Sequence, residues 1–212
     1  MKFDLHVHTN RFSGCSNIHP HEILKRALEA RLDGIVLTEH GIRWPDEEIV
    51  KQFSECGEKN LLVLPGEEAA CYSKGGQFQG EFLVFGYPKS LGSALSVEEL
   101  VDRVHEANGV VVAAHPFKKA RNGQSYYGCG HDAGKYNLDG IETHHPSYDT
   151  QARAAAWELA QKASLASIGG SDAHSLERIG LVTTVFEHDI QTMADLCREI
   201  RARRVHAEAG QA

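Results

Sequence analysis

The feature that most constrains this chain is a repeated alternation of short apolar strands with amphipathic helices. Phe3 to Val7, Ile35 to Leu37, Leu61 to Leu64, Val110 to Ala114, Ile141 to Thr143, Ser167-Ile168 and Leu181 to Phe186 read as strands. Pro20 opens a helix whose Ile23, Leu24, Ala27 and Leu28 share one face, ended by Asp33-Gly34. Residues from about 46 to 58 form a polar helix, and the capping box Ser96-Val97-Glu98-Glu99 starts another that stops at Asn108-Gly109. An Ala-rich helix covers 150–163, and Met193, Leu196, Cys197 and Ile200 mark the last one. Glu67 to Ser73 and Glu81 to Phe85 pair as a hairpin around Lys74-Gly75-Gly76. The tail from about Arg204 is expected to fray.

Strand–helix alternation of this kind predicts an α/β fold, a parallel sheet with helices outside it. Closed into a barrel, such a sheet carries its chemistry at the C-terminal ends of the strands. Neither a repeat nor a linker interrupts the pattern, and 212 residues suit one domain spanning 1–212.

Composition narrows the function classes. A net charge of −7 argues against long nucleic acid as a partner, which wants a basic face. No run of about 18 apolar residues occurs, so no membrane span is expected. The start, Met1-Lys2-Phe3-Asp4, has no apolar signal region, and a cytoplasmic location is the expectation. The five cysteines, Cys15, Cys56, Cys71, Cys129 and Cys197, form no CxxC pair and read mostly as reduced, buried thiols.

The 13 histidines are informative through their placement. Candidate ligands fall where strands end: His6-Val7-His8, Glu39-His40-Gly41, Gly66-Glu67-Glu68, His115-Pro116, His144-His145-Pro146 and Ser171-Asp172-Ala173-His174. Residues i and i+2 of a strand share a face, so His6 and His8 converge, in a pairing that suits zinc, manganese or iron. Asp172-x-His174 repeats that geometry with a carboxylate. Either Glu67 or Glu68 can bridge two cations, because a carboxylate has two oxygens, and periodicity does not choose between them. His144 and His145 point to opposite faces, so at most one looks into the site.

These blocks, in this order, resemble the polymerase and histidinol phosphatase (PHP) family. Asp4-Leu5-His6-Val7-His8-Thr9 looks like its first motif, and Thr38-Glu39-His40-Gly41 is similar to its second. Gly66-Glu67-Glu68, Ala114-His115-Pro116 and Gly170-Ser171-Asp172-Ala173-His174 match the later ones. The resemblance covers essentially the whole chain. It implies a distorted seven-stranded TIM-like α/β barrel holding two or three divalent metal ions. His6, His8, Glu68 and Asp172 would hold the first ion, Glu68 and His115 would share the second, and His40 with His174 would hold the third. The similarity of Gly140-Ile141-Glu142-Thr143-His144-His145-Pro146 to stand-alone family members points to His145 as the inward, substrate-binding residue. Two positions depart from the family pattern. Where many members have another second-site histidine, this chain offers only Glu81 and Leu83, and near the third site it offers Cys15.

The implied activity is metal-dependent hydrolysis of a small phosphate ester by a metal-bridging hydroxide, with Asp172 and His174 as catalytic residues. Lys118, Lys119, Arg121 and Arg178 follow strand-end motifs and are candidates for binding phosphate, Arg178 foremost through its bidentate fork. Asp4 is expected to orient a ligand histidine. An amidohydrolase cutting a C–N bond would use a similar barrel, and a non-catalytic metal-binding module would lack ligands.

Overall fold

A computed structural model describes residues 1–53, 61–120 and 125–210 of the chain. Five helices and nine strands alternate: β1 (Lys2–Val7), α1 (Pro20–Glu29), β2 (Gly34–Leu37), α2 (Asp46–Phe53), β3 (Leu62–Tyr72), β4 (Phe78–Phe85), α3 (Val97–Glu106), β5 (Val110–Ala113), β6 (Gly140–His144), α4 (Thr150–Ala163), β7 (Ala166–Gly169), β8 (Val182–Phe186), α5 (Met193–Arg201) and β9 (Val205–Ala209). Three of the helices begin where backbone donors find side-chain acceptors, and α1 begins at Pro20, which has no donor to satisfy. Ser96 and Glu99 form a reciprocal capping box on α3, Thr192 and Asp195 another on α5, and Asp149 accepts from Ala152 N at α4.

One sheet contains all nine strands, in the order β7-β6-β5-β4-β3-β2-β1-β8-β9. β1, β2 and β3 are parallel, as are β5, β6 and β7. β4 lies antiparallel between the two sets, and β8 runs antiparallel to both β1 and β9. The two edges of the sheet approach each other: Gly169 N, at the end of β7, donates to Thr184 Oγ1 of β8, which donates to Gly169 O. The result is a nearly closed α/β barrel.

Three details differ from the sequence expectation. The described residues form nine strands instead of seven. The strand at 61–64 and the first arm of the hairpin are one continuous strand, β3, parallel to β2 at its start and antiparallel to β4 beyond Gly66. Through Ala209 the tail is not frayed: β9 is paired along its length with β8, and Arg204, just before it, clamps the buried Glu199 of α5 with two hydrogen bonds of 2.7 and 2.9 Å. A lone polar strand end carries no signal of such a partner, because the ladder is supplied by tertiary structure.

Inside the barrel, Phe3, Leu5, Val36, Leu64, Leu83, Phe85, Val112 and Ile168 form an apolar floor that α5 closes with Leu196 and Ile200. Outer faces pack separately, under α3 and α4 on one side and under α1 and α2 on the other. The polar residues discussed next stand above that floor, at the strand ends.

Candidate metal centre

Each ligand candidate reaches the interior by a local device. β1 places Phe3 and Leu5 inward, yet Val7 packs outward under α1, and the register of β1 on β2 shifts between Asp4 and Val7. This bulge changes the facing parity of the strand, so His6 and His8 follow Leu5 into the interior. β3 needs no such device. Leu64 and Glu68 share the inner face, whereas Ala69 and Cys71 join the outer core. Glu68 therefore points inward, and Glu67 points out, accepting hydrogen bonds from Leu91 N and Gly92 N. His115 and Asp172 are both turned by a left-handed backbone, with φ of 26° and 48°. Side chains other than glycine rarely adopt that region, and they persist there only where surrounding structure holds them.

The four residues assigned to a first ion meet. His6 Nε2 lies 3.3 Å from Glu68 Oε1 and 3.6 Å from Asp172 Oδ1. His8 Nε2 lies 3.4 Å from Glu68 Oε2 and 3.4 Å from Asp172 Oδ1. His115 Nε2 is 3.0 Å from Glu68 Oε1, and His40 Nδ1 is 2.9 Å from Glu68 Oε2. His174 joins from the rim, its ring centroid 4.4 Å from that of His8. His6, His8, Glu68, His115 and Asp172 are all buried, whereas His40 and His174 reach solvent. Among the described residues four overlapping groups bring donor atoms close enough to hold a cation: His6-His8-Glu68, His6-His115-Asp172, His8-His40-His174 and His40-Glu68-Glu81. Glu81 Oε2 is 3.6 Å from His115 Nε2, so the carboxylate occupies the position where the resemblance lacks a histidine. Cys15 is exposed and belongs to none of these groups, and Cys56 lies outside the described residues.

A cation fits this cluster because the ligand atoms satisfy one another poorly. His6 Nε2, His8 Nε2, Glu68 Oε2 and His115 Nδ1 are buried without a hydrogen-bond partner among the described residues. Leaving a buried polar atom unpaired costs about 1–3 kcal/mol, and imidazole nitrogens with carboxylate oxygens are a donor set for zinc, manganese or iron. Protonation follows the same crowding. Burial alone would push His6 down, but the carboxylates of Glu68, Glu142 and Asp172 outweigh it and hold His6 well above the ordinary imidazole range. Burial pushes His8 down to about 4 against the pull of the neighbouring Asp172 and Glu68 carboxylates. Glu68 and Asp172, despite burial, are held well below the usual carboxylate range by the imidazoles around them.

Several supporting residues escaped the sequence. Glu142, buried on β6, accepts from His115 N at 2.6 Å and holds His6 Nδ1 at 3.1 Å. A carboxylate in the middle of a short buried strand was the available signal. Glu39 accepts from Thr9, Ser13 and Trp44 Nε1, tying the loop after β1 to that after β2. Asp4 does not hold a histidine ring. It accepts from Ser171 N and Gly180 N and from His6 N, anchoring β1 to the loop that carries Asp172, and burial raises its carboxyl to about 6. Gly170 lets these parts close up, since a Cβ there would stand 2.5 Å from His6 Cβ and 2.6 Å from Glu142 Oε1.

The substrate-side candidates separate. His145 is inward: its Nε2 is 3.3 Å from Asp172 Oδ2, and its Nδ1 is 2.7 Å from Ser147 Oγ. The register of β6 shifts between Glu142 and His144, which is why simple alternation from Glu142 would have chosen His144. Lys118 Nζ donates to Asp172 Oδ2 at 2.6 Å. Lys119 is drawn away to Asp149 at the start of α4, and Arg121 lies outside the described residues. Arg178 sits in the turn Leu176–Arg178, and among the described residues no hydrogen bond or ion pair joins its side chain to the cluster.

Residues 150–205, which include Asp172 and His174, match the family model described as PHP-associated. An uncharacterized protein of Methanocaldococcus jannaschii, MJ1587, is 30% identical over 127 residues, covering 55% of this chain and 68% of the relative. The chain belongs to the PHP family. Solved structures share the PHP-like fold. One is a Bifidobacterium adolescentis protein proposed to be a metal-dependent phosphoesterase, at TM-score 0.65 and 20% identity over 95% of this chain and 96% of that one. Another is a two-domain Bacteroides vulgatus protein containing a proposed PHP-like metal-dependent phosphoesterase, at TM-score 0.67 and 18% identity over 99% of this chain and 65% of that one. Among the described residues no helix is long and apolar enough to cross a membrane.

Proposed function

We propose that this PHP protein is a metal-dependent phosphoesterase acting on a small phosphate ester. The observation that carries the reading is the convergence of His6 and His8 from β1, Glu68 from within β3 and Asp172 from the loop after β7, with buried ligand atoms that make no hydrogen bond among the described residues. His6, His8, Glu68 and Asp172 would hold one divalent ion; Glu68 with His115 and Glu81 a second; His40 and His174, beside His8, a third. Such ions supply a nucleophile from water whose pKa falls towards about 7, and charge for the phosphate oxygens.

The protein's own groups do the rest. Glu142 and Asp4 fix the two sides of His6, and Glu39 fixes the loop beneath His8 and His40. His145, kept neutral because burial lowers it to about 4, faces the open side of Asp172. With only the first two ions bound, His174, at the rim and reaching solvent, is free to give a proton to the leaving oxygen.

The test is elemental analysis of purified protein together with turnover of a phosphomonoester, a phosphodiester and a cyclic amide. The expected result is at least one metal per chain and hydrolysis of a phosphate ester, abolished by Asp172→Asn in a protein that stays folded. Hydrolysis of the amide alone would move the activity to C–N bonds. A metal-free protein inert with manganese and zinc would end the reading.

A further inference from the structure

Lys118 is an unusual neighbour for a cation site. An ammonium beside metal ligands repels the metal, so its presence calls for another use. The two oxygens of Asp172 are divided between tasks: Oδ1 faces His6, His8 and His174, and Oδ2 faces Lys118 and His145. Lys118 therefore stands on the far side of the carboxylate, toward the open mouth, and does not take a ligand position. Its side chain is still 28% exposed, so solvent and solutes reach it.

The position is built. After β5, the left-handed turn at His115 lets Lys118 N donate to His115 O. Phe117, immediately before, is buried and donates its N–H to Tyr148 Oη. From the returning arm, Tyr127 N donates to Lys118 O, and the Tyr127 ring lies 5.7 Å from Nζ. Backbone and ring thus aim the ammonium, and Asp172 takes one of its three donor hydrogens.

We propose that Lys118 recognises the non-bridging oxygens of the substrate's phosphoryl group and favours a dianionic phosphomonoester over a diester. The inference rests on the phosphoesterase reading and deepens it. Asp172 takes only one of the ammonium's donor hydrogens, so Lys118 offers a positive charge and further donors on the substrate side of that carboxylate, which a dianion uses more fully than a monoanion.

The experiment compares the manganese-loaded wild type with Lys118→Met and Lys118→Arg. Inorganic phosphate binding is read by calorimetry, metal content by elemental analysis, and kinetics with p-nitrophenyl phosphate and its bis ester. Lys118→Met is expected to keep its metal and to weaken phosphate binding by roughly tenfold to a hundredfold, the worth of a charge-assisted hydrogen bond. Its kcat/KM should fall more for the monoester than for the diester, through KM, with partial recovery in Lys118→Arg. Equal phosphate affinity in wild type and Lys118→Met, absence of binding in both included, overturns the inference. So does an equal loss for both esters, or a loss of metal that accounts for the weaker binding and marks Lys118 as a counter-ion of Asp172. A wild type that binds phosphate but turns over neither ester defeats the phosphoesterase reading separately.

Discussion

Glu142 Oε1 lies 3.1 Å from His6 Nδ1, and this contact leaves His6 Nε2 facing the other ligands. The second oxygen of the same carboxylate accepts from His115 N. One buried side chain on β6 thus orients groups from β1 and from the end of β5.

From that double contact follows a prediction for Glu142→Gln. The amide has one oxygen to serve both partners, and its NH2 group would meet a donor. Metal affinity should fall about 10–100-fold, as it does when a partner behind a ligating histidine is lost. Competition with a chromophoric chelator measures the affinity, and circular dichroism reports that the fold survives. An unchanged affinity would show that His6 needs no such orienter.

Gly170 is the hinge of close approach between the same parts. In Gly170→Ala the new methyl would stand 2.5 Å from His6 Cβ and 2.6 Å from Glu142 Oε1, both buried and without room to retreat. Overpacking of this kind costs about 1–3 kcal/mol, which lowers Tm by roughly 2–4 °C per kcal/mol in a chain of this size. Gly75→Ala, in the turn between β3 and β4, is the control, because its nearest neighbour would be Ser73 Oγ at 3.8 Å. Equal melting of the two variants would contradict the packing seen around His6.

How far the sequence reaches is visible at these residues. Strand ends and the order of the motifs were legible, since alternation and i, i+2 spacing are local properties. The inward choice of Glu68 rested on the resemblance of Gly66-Glu67-Glu68 to a family motif, since alternation left Glu67 and Glu68 open. What was not legible depends on departures from regular geometry or on distant partners. The bulge in β1, the shift in β6 and the left-handed turn at His115 each re-aim a side chain without changing its spacing in sequence. Glu142, Gly170 and the pairing of β9 matter only through what folds against them. Arg178, preferred from its position after His174, makes no described contact with the cluster, whereas Lys118, considered on equal terms with its neighbours, sits on Asp172.

Cation binding should stabilise the fold, because His6 Nε2, His8 Nε2 and Glu68 Oε2 are buried and make no hydrogen bond among the described residues. At a free metal concentration about 100 times Kd the gain is about 2.7 kcal/mol, or roughly 5–10 °C in Tm. Differential scanning fluorimetry with chelator, then with manganese or zinc, reads the shift. Asp172→Asn should show a smaller one. Identical melting with and without metal would mean that the cluster holds nothing.

Towards the far end of the chain, Glu199 of α5 is buried, accepts from Arg204 Nε and Nη2 and faces His188 Nδ1 at 2.9 Å. The hydrogen bonds of Arg204, then those of His188, outweigh burial and lower the Glu199 carboxyl from 4.5 to about 2. A folded-state value below the unfolded one means that the unfolded chain takes up the proton first as pH drops. The stabilisation is therefore complete above about 4.5 and is lost as pH falls from there towards about 2. Glu199→Gln should remove that component: stability at neutral pH drops by about 1–3 kcal/mol, and the difference from wild type narrows through the acid window. Urea unfolding followed at a series of pH values between neutrality and the acid limit measures both. If the variant and wild type differ by a constant amount down to pH 2, the carboxylate is not what ties α5 to β9.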